Sequence, residues 1–186
     1  MDLFEAIYNR RSIPKVKPAP VPCEMVEKML SAAVQAPNHY RVRPWRFVVI
    51  SGVGRERLGE VMVQSLLKRQ PNANPAMLEQ ERGRPLRAPL LIAIGVDKPS
   101  EPKVLEIENI CAAAAAAQNL LLAAHAMGLA GYWRTGPAAL DPDVKSFLGF
   151  APDQNLIAFL YIGYADMEIP QVQRPSYEDR TVWIES

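Results

Sequence analysis

Two arginine motifs stand far apart in this chain, Arg10-Arg11-Ser12 near the start and Trp133-Arg134-Thr135 well downstream. A guanidinium presents a planar fork of N–H donors that matches a phosphate, and a serine hydroxyl or backbone N–H can complete the cradle. Arg10 and Arg11 follow an apolar pattern at Leu3, Phe4 and Ile7. They therefore fall at the negative C-terminal end of a first helix, where cations are favoured even without a ligand. The second motif sits in Gly131-Tyr132-Trp133-Arg134-Thr135-Gly136-Pro137, where two glycines flank an aromatic, a cation and a hydroxyl. That mix suits a flat aromatic ligand with polar edges. Alone it would serve equally as a strand leaving the core.

A third element lies between them. Ala36-Pro37-Asn38-His39-Tyr40-Arg41-Val42-Arg43-Pro44-Trp45-Arg46-Phe47 is a polar loop running into an apolar strand, and loops at sheet ends commonly hold ligands. An imidazole such as that of His39 could donate a proton; a structural or ligand-contacting role is the simpler reading.

Other chemistries find no support. His39 and His125 are the only histidines, and neither HExxH nor GxSxG occurs. Cys23 and Cys111 lack metal-site spacing, so no metal is expected. Cys111, in an apolar helical run, reads as a small buried hydrophobe, and two thiols fit a reduced, cytoplasmic protein. Ser51-Gly52-Val53-Gly54-Arg55-Glu56-Arg57 starts like a dinucleotide turn, but Arg57 stands where a third glycine would allow close packing. It reads as a glycine turn opening a helix. No phosphate-loop GxxxxGK[ST] is present. The formal net charge of +1 gives no pull toward nucleic acid or membrane. The first residues carry acids and no apolar stretch of the kind a signal peptide needs.

The elements that position these motifs follow from pattern and punctuation. Pro22 suits the first turn of a second helix, whose stripe is Val26, Met29, Leu30, Ala33 and Val34. Residues 45–50 predict a buried strand, and Leu58, Val61, Met62, Ser65 and Leu66 a third helix. Residues 71–89 read as a loop with a partial helix, the one candidate lid over a substrate. Residues 89–96 are apolar on both faces and predict a central strand. The longest helix spans 105–128; it is apolar nearly all round, hence buried in a core or an interface, and Gly128 caps it. A short strand covers 131–134. Asp141-Pro142 opens another helix and Gly149 ends it. A last central strand covers 156–165, and 167–186 is an extended tail. The whole, 1–186, is one α+β or α/β domain of roughly four strands with helices on both faces.

In this order and spacing the elements resemble the nitroreductase family of FMN-dependent oxidoreductases, in particular its compact YdjA-like branch. The resemblance rests on Arg10-Arg11-Ser12, the AP-x-H…PW-x-F block at 36–47, RAPL at 87–90, the alanine-rich helix and G-x-WR-[ST]-G at 131–136. It implies an α+β sandwich with a mainly antiparallel sheet of about four to five strands, flanked by helices, in an intimate homodimer with FMN at the interface. It implies FMN contacts from Arg10, Arg11, Ser12, Gln35, His39, Trp133, Arg134 and Thr135. The stretch Ala123, Ala124, His125, Ala126, Met127, Gly128 matches a segment tied to NAD(P) binding. The implied reaction needs no catalytic side chain: NAD(P)H reduces the flavin at N5, leaves, and a nitroaromatic, quinone or similar small acceptor is reduced in turn. Within the same fold the alternatives are a flavin-dependent dehalogenase or flavin-fragmenting enzyme, or a protein that holds FMN without turnover. Gln35 stands where close relatives often carry arginine, and Arg43 where many carry glutamine. An added cation at 43 predicts a preference for acidic substrates or for the phosphate of NADPH.

Overall fold

The computed structural model describes residues 1–184. Its frame is a four-stranded antiparallel sheet in the order β1-β2-β4-β3, with β1 at Trp45–Ser51, β2 at Leu90–Val96, β3 at Ala130–Arg134 and β4 at Asn155–Gly163. β2 and β4 are central and almost wholly buried, as their unbroken apolar runs predict. Strand alternation then divides the core into two. Leu90, Ile92, Ile94 and Val96 face the helices α2 (Cys23–Ala33) and α5 (Glu106–Ala126). Leu91, Ala93, Phe159 and Tyr161 face α3 (Val53–Arg69), α6 (Pro137–Leu140) and α7 (Pro142–Phe147). The remaining helices are α1 (Leu3–Asn9) and α4 (Pro75–Arg82).

The α+β architecture with a mainly antiparallel sheet is the one anticipated. Local punctuation placed the helix ends correctly. Asp141 caps α7, its carboxylate accepting from the backbone N–H groups of Asp143 and Val144, with Pro142 at the first turn. Gly149 and Gly128 follow α7 and α5 in the left-handed conformation that glycine tolerates. Gly52 opens α3 with a φ of 52°, a glycine turn and nothing more.

Three expectations need correction. β1 is an edge strand, not a buried one: Val49 is 43% exposed and only Trp45 and Ile50 are buried. Among the described residues no strand pairs with its outer side. Cys111 is exposed. α5 buries Ala112, Ala113, Ala116, Ala117, Leu120, Leu121 and Ala124 against the sheet, and Cys111 lies on the opposite side with Ile107 and Gln118, one turn or two away. α5 is also long and apolar enough to cross a membrane by length and composition; its packing on the sheet accounts for that character. Finally, residues 71–89 are mostly ordered helix and turn. α4 packs on α3 so closely that a Cβ at Gly59 would lie 2.4 Å from the Arg82 carbonyl oxygen, and Arg82 pairs with Glu60 at 2.6 Å.

Candidate functional site

Asp2 caps α1, accepting from the Glu5 N–H at 3.0 Å, and the helix ends at Arg10. The chain then extends along the free edge of β3. Ser12 bridges in parallel to Gly131, and the Ile13 N–H donates to the Gly131 carbonyl at 3.2 Å. The two distant motifs therefore share one sheet edge: Trp133 is two strand residues, about 7 Å, beyond Ser12's partner. Gly131 also lets α5 sit close against β3, because a Cβ there would lie 2.5 Å from Cδ2 of Leu121.

Beside this junction is a cavity of about 180 Å3, walled by Arg10, Arg11, Leu121, His125 and Gly128 among others. Arg174 reaches back from the tail, its Nη2 donating to the Arg10 carbonyl at 3.3 Å. Arg11 donates to the carbonyls of Tyr8 at 2.5 Å and Val172 at 3.3 Å, yet its buried Nε has no partner among the described residues. Desolvation, then the charges of Arg174 and Arg11, push the Arg10 pKa down. His125 is likewise held below its ordinary value, first by burial, then by Arg10 and Arg11, with Glu5 opposing; its buried Nε2 is unpartnered. Two guanidiniums and an imidazole thus border one opening, with Arg174 beside Arg10 and Glu5 as a nearby carboxylate. Such a group is electrostatically unfavourable alone, which suits it to an anion.

The sign of its pH dependence follows. His125 has a lowered pKa in the folded chain, so its protonation destabilises the fold as pH falls through the ordinary histidine range near 6.5. A bound phosphate offsets the arginine charges and raises the His125 pKa, so binding takes up a proton. Affinity for a phosphate ligand is therefore expected to rise as pH falls from 8 to 7, above the range around 6 where a phosphate monoester itself protonates. Titrations at pH 7.0 and 8.0 with wild type and His125→Leu check this; the difference should vanish in the variant.

Strand alternation parts the second motif. The Trp133 indole N–H donates to the Ile157 carbonyl at 3.1 Å, and the ring packs on the α5 side. Tyr132 and Arg134 project to the other face, where the Arg134 guanidinium lies 4.7 Å from the Tyr132 ring centroid and 5.7 Å from that of Tyr161. Trp133, Arg134 and Thr135 all border a second cavity of about 250 Å3, shared with Arg84 and Arg87. Within one chain, Arg134 and the Arg10–Arg11 pair do not line the same opening.

Gln35 and His39 lie elsewhere again. Gln35 is exposed after α2 and bonds back to the Ser31 carbonyl at 3.3 Å. His39 Nδ1 is 2.7 Å from Glu108 Oε1, and Glu108 also accepts the Leu105 N–H at 2.8 Å. That backbone bond, then His39, lowers the Glu108 pKa. Tyr40 stacks on His39 with centroids 4.3 Å apart. The loop is strained: Tyr40, Arg41 and Arg43 have φ of 49°, 55° and 48°, in the left-handed region that costs a non-glycine residue about 1–2 kcal/mol. Asn38 Oδ1 pins it by accepting the Arg43 N–H at 2.8 Å. Such strain is typical of ligand loops. Arg41→Gly is expected to raise stability by ~0.5–1 kcal/mol, after subtracting glycine's greater freedom in the unfolded chain; a urea midpoint measures it.

The stretch 123–128 forms the last turn of α5 and its cap: Gly128 N–H bonds to the His125 carbonyl at 3.0 Å and Leu129 N–H to the Ala124 carbonyl at 2.9 Å. Ala124 is core. His125 and Gly128 line the arginine cavity, so this stretch opens onto the Arg10–Arg11 site. Sequence reasoning missed Arg174, Arg84 and Arg87. Arg174 sits in a proline-bearing tail with no local pattern, 164 positions from the residue it bonds. No cluster of metal-ligating side chains occurs among the described residues.

The nitroreductase family model matches residues 7–164, a span that includes both arginine motifs, the His39 loop and the whole sheet. The chain belongs to the nitroreductase family. It is 34% identical, over 88% of each chain, to YdjA of Escherichia coli (strain K12), a protein that carries the name of an NAD(P)H nitroreductase. It is 26% identical to an iodotyrosine deiodinase of Danio rerio, over 99% of this chain and 69% of that one. Among solved structures, the FMN-dependent nitroreductase NfnB of Mycobacterium smegmatis in complex with NADPH superposes with a TM-score of 0.75 at 20% identity, covering 98% of this chain and 97% of that one. This last likeness is one of fold. Arg174 lies outside the span that the family model matches.

Proposed function

We propose that this nitroreductase-family chain is one domain that binds FMN and uses NAD(P)H to reduce a nitroaromatic, a quinone or a similar small acceptor. The observation that carries the reading is a cavity walled by Arg10, Arg11 and His125, with Arg174 bonded to the Arg10 carbonyl beside it and a buried Arg11 Nε left unpartnered among the described residues. A terminal phosphate fits that donor set: forked guanidinium N–H groups and the exposed Ser12 hydroxyl at the end of α1. When bound, FMN would supply hydride and electron transfer. The protein's part is to hold it. Arg10, Arg11 and Arg174 bind the phosphate, Ser12 adds a hydroxyl, and Trp133, Arg134 and Thr135 contribute from the far end of the same sheet edge.

A cavity of about 180 Å3 admits a phosphate and part of its chain, not a whole mononucleotide, since ligand pockets usually span about 300–1,000 Å3. The remainder of the group needs a second surface. Exposed apolar residues are available for one: Leu3 and Phe4 on α1 (both 65% exposed), Ile107 on α5 (59%) and Trp183 in the tail (74%). Large exposed apolar residues of this kind are available to an association surface. A homodimer would cover it and could bring the Gln35 and His39 of a second chain to the flavin. Two free thiols fit a cytoplasmic location.

The discriminating experiment compares FMN with riboflavin, which lacks the phosphate. The phosphate cradle predicts ~10²-fold weaker riboflavin binding, the value of one or two charge-assisted contacts. Equal affinities would refute the cradle. Sedimentation equilibrium of the same samples should give a dimer. The likeness to a deiodinase keeps reductive dehalogenation as the second reading; halide release from an iodophenol under reducing conditions, with no nitro reduction, would select it.

A further inference from the structure

A further cavity, of about 360 Å3, opens at the other edge of the sheet from Arg10 and Arg11. Ser51, where β1 ends, pairs with Leu90, Leu90 with Ile162, and Ile162 with Gly131 beside Ser12. Three strand spacings, about 14 Å, therefore separate the two places. None of the residues assigned above to FMN lines this cavity. Its walls are mostly aliphatic: Pro18, Pro20, Val26, Val49, Pro89 and Leu90. Arg55, in the first turn of α3, puts a charge among them. Its Nη1 donates to the Ala88 carbonyl at 2.8 Å, which fixes the guanidinium against the start of β2. Its buried Nε has no acceptor, and no carboxylate pairs with it, among the described residues. The acids at the start of α2 are engaged locally: Glu24 pairs with Lys28 at 2.6 Å, and Glu27 accepts from the Cys23 thiol at 3.7 Å. No side chain caps the first N–H groups of α3, which adds to the positive field of Arg55.

We infer that this cavity is a separate ligand site that takes a small apolar carboxylate, its body against the proline and valine walls and its anionic head on Arg55. A partly buried arginine without a counter-charge is costly until an anion answers it, and a carboxylate matches the guanidinium fork. A neutral apolar ligand would leave that charge unanswered. A phosphate ester would bring two negative charges to a single cation. The size agrees: about 360 Å3 lies within the range of small-molecule pockets. At about 30 Å3 per water it has room for ~12 non-hydrogen atoms, enough for octanoate. The site requires neither FMN nor a second chain.

Cys23 lines the same cavity and is exposed, so its alkylation reports occupancy. In Cys111→Ser it is the sole thiol. Uncharged iodoacetamide serves as the reagent and octanoate as the probe. Acetate supplies the head without the body, and 1-octanol the body without the charge. Octanoate is expected to slow the alkylation of Cys23 saturably, at concentrations where acetate and 1-octanol do not. Adding Arg55→Gln should weaken octanoate ~10-fold or more, the loss of a charge-assisted contact, and leave 1-octanol unchanged. Val49 is 43% exposed on the edge strand, so Val49→Glu spares the fold while placing a carboxylate in the cavity; it should abolish protection by octanoate. Each variant is checked by thermal melt, and Val49→Glu decides alone if Arg55→Gln does not fold. No saturable protection by octanoate, equal protection by acetate or 1-octanol, or protection unchanged by these substitutions in variants that fold, would overturn the site.

Discussion

Arg10→Gln is expected to weaken FMN binding by ~10²-fold while leaving the ligand-free chain at least as stable as wild type. The two halves of that result come from the same geometry. Arg10 is half-buried against Arg11 and Arg174, and its charge is disfavoured by desolvation and by both neighbours. Removing it relieves repulsion when no anion is present. With a phosphate in place the same charge donates hydrogen bonds to an ionised acceptor, each worth about 1.5–3 kcal/mol. A merely structural arginine would behave in the opposite way, costing stability without ligand and sparing affinity. Fluorescence titration with FMN and a melt of the ligand-free protein separate the two. Arg174→Gln should follow Arg10→Gln in direction, since it belongs to the same cluster.

The second large effect concerns the frame that carries the Trp133–Thr135 edge. Asp141 is buried and serves two helices at once. Its Oδ1 accepts the Asp143 and Val144 N–H groups at 3.0 and 3.1 Å; Oδ2 accepts the buried Ser65 hydroxyl of α3 and lies 3.7 Å from Arg69 Nε. Asp141→Ala removes the cap, worth about 1 kcal/mol, and strands buried donors, which costs about 1–3 kcal/mol more. A loss of ~3 kcal/mol is expected, or roughly 6–12 °C in Tm for a chain of this size. Asp141→Asn, which keeps one capping oxygen, should recover about half. A shift below 2 °C for the alanine variant would show that α3 and α7 are held by apolar packing alone.

Much of the fold was legible because its determinants are local. Asp141-Pro142 and Gly149 delimit α7, and Gly128 terminates α5, through backbone preferences that a few residues carry. The central strands β2 and β4 announce themselves by apolar runs. What escaped depends on contacts between distant segments. β1 reads like β2, and only the strand order makes one an edge and the other central. α5 is apolar on every side, so periodicity gives no indication of which face meets the sheet, and Cys111 fell on the open one.

The candidate site shows the same division. Arg10, Arg11 and His125 could be named from the chain, and the fold brings them to one cavity. Trp133, Arg134 and Thr135 read as a unit in the sequence, but successive strand residues must face opposite ways; the alternation sends Trp133 to one face of the sheet and Arg134 to the other. Arg174 had no local signature at all, and Arg87 was legible only as part of the RAPL block. Their placement emerges from their neighbours: Arg174 bonds the Arg10 carbonyl, and Arg87 lines the cavity that Arg134 also borders.

The central claim is that this chain holds FMN and passes electrons to it from NAD(P)H. The visible spectrum of the purified protein, after incubation with FMN and removal of excess, tests it most directly. A yellow protein is expected, with flavin absorbance that bleaches when NADH or NADPH is added without oxygen and returns when a nitroaromatic or quinone follows. A colourless protein that retains no added FMN would contradict the account, and so would a yellow one that neither NADH nor NADPH bleaches.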